Sequence, residues 1–173
     1  MNGIATDQPT LRHLKTFDGE VCAVPLRIGH YWVQTLFSAH ALAAYDISDP
    51  IHMREVSRIT FDEKQKPHWI SSDEDEGGRR IIVNSGEYGE HRLSIVNFDP
   101  QSGALTLDTH FRDTASEHPG VSMDGKSWPH GFQGDAYPHG TVFSRSSAVR
   151  SKTEQKAPQK TLPASGTKAG NEN

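Results

Sequence analysis

The chain has 173 residues, 18 Lys and Arg against 22 Asp and Glu, a formal net charge of −4 and a single cysteine, Cys22. One cysteine excludes an intrachain disulfide scaffold and makes a reducing, cytoplasmic setting the default expectation. The polar opening Met1–Thr10 lacks the charged-then-apolar order of a secretory leader, and no apolar run approaches the roughly 20 residues that a membrane helix needs.

In chain order, residues 1–20 read as an irregular lead-in, 21–145 as a β-rich body and 146–173 as a disordered tail. Within the body, Tyr31-Trp32-Val33 predicts a strand, Ala43–Ile47 a second, Asp49-Pro50 a turn and Val56–Phe61 a third. Pro67-His68 then opens a short strand over Trp69–Ser72, and the turn Glu74–Gly78 leads into Arg80–Asn84. Leu93–Phe98 is apolar on both faces and so predicts a strand buried on both sides. Asp99–Gly103 is a hairpin loop, with proline fixing φ and glycine supplying a positive one. Leu105, Leu107, Thr109 and Phe111 alternate with Thr106, Asp108 and His110, which predicts one continuous strand. No amphipathic helix is expected.

Thr114–Tyr137 reads as the longest irregular stretch, with Asp113 just before it. It sets Glu117, Asp124 and Asp135 beside Trp128, Phe132 and Tyr137. Acids among aromatics suit a sugar, a lactone or a cation, or serve to wrap a sheet. Thr141–Ser144 predicts a last short strand. Beyond it the tail has no aromatic residue, and five basic against two acidic residues. Such a segment buries too little apolar surface to offset the entropy of ordering it. Its mild charge is read as solvated, without nucleic-acid or membrane contact.

The strand pattern repeats. The two Asp-Pro turns lie 50 positions apart, as do Trp32 and Ile82. About four strands per 50 residues is the signature of a propeller blade. Pro67-His68-Trp69-Ile70, Gly78–Asn84, Leu93–Asp99 and Gly103-Ala104-Leu105 together resemble one blade of the YVTN/lactonase-like β-propellers. Tyr45–Pro50 is similar to a turn phrase of the selenium-binding protein group of that superfamily. The expected fold is therefore all-β, a partial β-propeller of about two four-stranded blades. A closed propeller has 4–8 blades, and two alone expose two apolar flanks. The chain is thus expected to be a piece of a longer propeller, to close by self-association, or to stand as a small β protein in its own right.

Ten histidines are present, and three follow proline: His68, His130 and His139. If the Pro-His steps open inner strands, their imidazoles lie near a common axis and could share a metal, since imidazole suits copper and zinc. The alternative is that Pro-His merely shapes strand entry. The resemblance implies a metal-dependent oxidase or a lactone hydrolase in an intact propeller, with a small-molecule ligand, and two blades alone are expected to be inactive. A non-catalytic interaction module stays open beside it. There is no nucleophile elbow, phosphate loop or dinucleotide glycine pattern, and Asp73–Glu76 reads as a charged hairpin tip.

Overall fold

The computed structural model describes residues 10–20, 24–86 and 89–144. The predicted tail, 146–173, and Cys22 lie outside the described residues. Within them the fold is all-β, and none is helical. Accordingly, no helix among them is long and apolar enough to cross a membrane.

Two antiparallel meanders form the body. The first comprises β1 (Leu26–Ile28), β2 (Tyr31–Leu36), β3 (Ala41–Asp46) and β4 (Arg54–Thr60), hydrogen-bonded in that order. The second comprises β5 (Pro67–Ser72), β6 (Arg80–Ser85), β7 (Arg92–Phe98) and β8 (Leu105–Leu107), again in order, with the short β9 (Val121–Ser122) added beside β7. A small hairpin, β10 (Lys126–Ser127) with β11 (Gln133–Gly134), completes the strands.

The sheets stack face to face, with β1 and β2 against β5 and with β4 against β8. Alternation dictates the core. Tyr31, Val33, Leu42 and Ala44 of the first sheet meet Ile70, Ile81, Val83, Val96 and Phe98 of the second. Tyr31 sets its ring edge-on to Phe98 at 5.5 Å and donates its hydroxyl to the Gln101 carbonyl at 3.0 Å. Gly103 (φ 75°) lies beneath Tyr31, where a Cβ would sit only 2.5 Å from Tyr31 Cε1. Glycine is therefore required there both by conformation and by space.

The structure differs from expectation in four places. β1 was not foreseen, because three residues are too few to show alternation. The predicted strand from Leu105 to Phe111 ends at Leu107: the Asp108 carboxylate accepts the His110 and Phe111 amides and turns the chain away. Thr141–Ser144 is no strand; side chains of the second sheet hold it instead. The supposedly irregular stretch from Thr114 contains β9, β10 and β11.

The apolar flanks are also better covered than two bare sheets would be. Residues 11–20 cross the outer face of the first sheet, where Phe17 meets Tyr45 edge-on at 5.1 Å. There Leu36, Ala41, Ala43 and Tyr45 form a second buried cluster. The exposed large hydrophobics among the described residues, such as Leu11, Leu14 and Val142, all lie outside the strands.

Candidate functional site

β5 begins with a bulge. Its register with β6 slips by one residue between Pro67 and Trp69, leaving His68 as the extra residue. A bulge re-aims the side chain it carries. Pro67 is fully buried, and Thr35 of β2 donates its hydroxyl to the His68 carbonyl at 3.3 Å. Both sheets therefore fix the His68 backbone.

The second Pro-His step reaches this point from the other side. Asn84 of β6 is fully buried. Its Nδ2 donates to the Pro138 carbonyl at 2.8 Å, and its Oδ1 accepts the Thr141 hydroxyl at 2.5 Å. Ser71 adds a bond to the Thr141 carbonyl at 2.6 Å. These bonds bind residues 138–141 to the second sheet and set the His139 ring 5.2 Å from that of His68, at 53°. Trp69 lies 6.2 Å from His139.

The cluster continues through Tyr137, whose ring is edge-on to His139 at 5.7 Å and lies 5.5 Å from His91. Asp124 grips His91 twice, taking Nδ1 at 2.6 Å and the backbone amide at 3.2 Å. A carboxylate on Nδ1 leaves Nε2 of a neutral imidazole as the acceptor. His130, the third Pro-His residue, is exposed at the β10–β11 turn, with its ring stacked on Phe132 at 6.4 Å. The structure thus brings His68 and His139 together and turns His130 to a different ring partner. His91 was passed over in the sequence, and Asp124, read among the acids of the long connection, was not paired with it, because 33 positions separate them and no motif links them.

Two imidazoles on one tetrahedral ion, with metal–nitrogen bonds of about 2.0–2.1 Å, place their ring centres about 5 Å apart. The His68–His139 separation fits that arrangement. Among the described residues, however, no three His, Cys, Asp or Glu side chains converge as a metal site. The pair supplies two donors only.

The acids of the long connection are engaged in holding it together. Asp113 takes the Lys126 ammonium at 2.7 Å and the Ser122 amide at 2.8 Å, and the ammonium bond, followed by the amide, holds its carboxyl below the usual range. Asp135 accepts the Gly125 amide at 2.6 Å, and Glu117 pairs with Arg112 at 2.7 Å. Arg92, buried, pairs with Glu90 and donates to the Gly120 carbonyl at 2.9 Å.

No protein-family model matches the sequence, and no curated protein matches it. Among solved structures, the chain is similar to a hypothetical selenium-binding protein from Sulfolobus tokodaii, with a TM-score of 0.40 and 17% identity. That similarity covers 46% of this chain and 22% of that one, so it spans about a fifth of the other protein's length.

Proposed function

We propose that the chain is a β-propeller segment of about two blades that binds a transition metal or a small ligand through paired imidazoles, His68 and His139. The carrying observation is that two Pro-His steps, 71 positions apart in sequence, set their rings 5.2 Å apart. The stacking of two four-stranded meanders in the same strand order supports the blade reading. A bound copper ion would supply one-electron chemistry and a zinc ion Lewis acidity.

The chain's own residues supply the surroundings. Asn84 and Ser71 position His139, the bulge positions His68, and the Trp69 and Tyr137 rings lie beside His139. With two donors present, the remaining positions fall to water, ligand or a second copy.

Calorimetric titration of the full chain with Cu(II) and with Zn(II) tests the reading. One metal is expected to bind stoichiometrically and to raise the unfolding temperature, by an amount equivalent to about 2.7 kcal/mol at a hundredfold excess over Kd. His68→Ala and His139→Ala should each abolish the effect, and His130→Ala should preserve it. Binding that survives both of the first two substitutions overturns the proposal. A cooperatively folded chain indifferent to both metals also overturns it and favours the non-catalytic interaction module.

A further inference from the structure

A groove lies on the opposite flank of the molecule from the histidine pair. It runs between residues 12–17 and the turn that joins β3 to β4. Leu14, Phe17, Trp32, Ile47, Pro50 and Met53 line about 460 Å³ of it. Leu14 is 42% exposed along this groove, which marks an apolar surface left open. The Trp32 indole N–H is engaged with Gln34 Oε1 at 3.2 Å, so the floor offers its ring rather than a polar atom.

The rest of the lining is basic: Arg12, His13 and Lys15, with no carboxylate among the lining residues. Lys15 leans over the Tyr45 ring at 5.4 Å, and His13 Nε2 meets the Thr16 hydroxyl at 3.1 Å. Arg12 is exposed at the rim. With Lys15 drawn toward Tyr45 and the Glu55 carboxylate, Arg12 is the cation left at the rim. An apolar trough with one cationic end is complementary to a molecule with an apolar body and a single anionic head, and its volume lies within the range of small-molecule sites. The tail beyond residue 145 is a poor match, being basic itself.

We infer that this groove binds a small amphipathic carboxylate of the medium-chain fatty-acid class, with its chain on Trp32 and Met53 and its head at Arg12. The inference is independent of the histidine site.

Calorimetry on the full chain with decanoate, decanol and decyltrimethylammonium, all below their aggregation thresholds, tests it. Saturable binding is expected in the order decanoate, decanol, ammonium. Arg12→Gln should weaken decanoate about threefold, the scale of an exposed ion pair, and leave decanol unchanged. Met53→Asp, on the groove wall, should remove decanoate binding while circular dichroism stays native. Absence of saturable decanoate binding overturns the inference. Equal affinity for decanoate and decanol, or no response to Arg12→Gln, overturns the assignment of the head group to Arg12.

Discussion

The two stacked sheets share a strand plan and differ in what covers their outer faces. In the first, Ala41–Tyr45 is buried along its whole length, and small residues let the lead-in around Phe17 close over it. In the second, the central strands carry the exposed Arg80 and Asn97, and Ser71 and Asn84 capture the returning chain through hydrogen bonds. Apolar covering fixes a segment's distance from a sheet. Hydrogen-bonded covering also fixes its register, since each donor must meet a particular carbonyl. The paired histidines belong to the second arrangement, where register determines which ring reaches His68.

The largest expected effects test whether the sheets are one unit. Leu42→Ala and Ile81→Ala, one from each sheet, should each cost about 2–5 kcal/mol, because both leave a cavity in the same inter-sheet core. Denaturant unfolding should stay a single transition in both. Two separated transitions would break the comparison by showing that each sheet folds alone.

Next come the glycines. Gly103→Ala forces a Cβ against Tyr31 and Val56 of the facing sheet, at a cost of about 1–3 kcal/mol for overpacking in addition to backbone strain. Gly29→Ala, with φ 60° and open space around it, should show the strain alone, about 1–2 kcal/mol. Equal losses would mean that Gly103 makes no close approach to the first sheet.

Asn84→Ala should cost about 1–3 kcal/mol, because it removes two hydrogen bonds that tie the half-buried Pro138 carbonyl and Thr141 hydroxyl to the sheet. The sharper readout is local. Amide exchange over 138–143 should accelerate while the first sheet stays protected, and metal binding should weaken along with it. Removal of the Phe17 ring from the first sheet should leave that exchange unchanged.

Acid provides the smallest test. Asp46, the last residue of β3, is held at about 2, chiefly by the Ser48 amide and hydroxyl and then by Arg54. Asp49 is lowered by His52 and the Ile51 amide, and Asp99 by the Ser102 hydroxyl and the Gln101 amide. Each folded value lies below the unfolded one, so the stabilisation is complete above about pH 4. It is lost as pH falls toward the folded values, about 2 for Asp46. Asp46→Asn should flatten the acid limb of stability slightly, as measured by urea midpoints at pH 5 and pH 3. Both Asp-Pro turns should contribute in the same direction.

Much of this plan was legible in the sequence. The two-faced apolar run at Leu93–Phe98 and the 50-residue spacing of the Asp-Pro turns reflect local geometry, and the meanders follow from them. β1 escaped because three residues carry no period, and the end of β8 at Leu107 escaped because Asp108 caps the chain where alternation alone would continue it. At the site, the Pro-His steps pointed to His68 and His139. His130 shares the Pro-His-Gly context of His139, and only the tertiary path sets it against Phe132. The pairing of His91 with Asp124 left no local signal, since their bond joins two segments whose meeting depends on β9 pairing with β7.

The account's central claim is that His68 and His139 act on one ligand. The most direct measurement is electron spin-echo envelope modulation of the chain carrying one equivalent of Cu(II), which counts coordinated imidazoles. The account predicts two in the wild-type chain, one or none in His68→Ala and in His139→Ala, and two in His130→Ala. A count that is unchanged in both of the first two variants, or that falls only in His130→Ala, would contradict it.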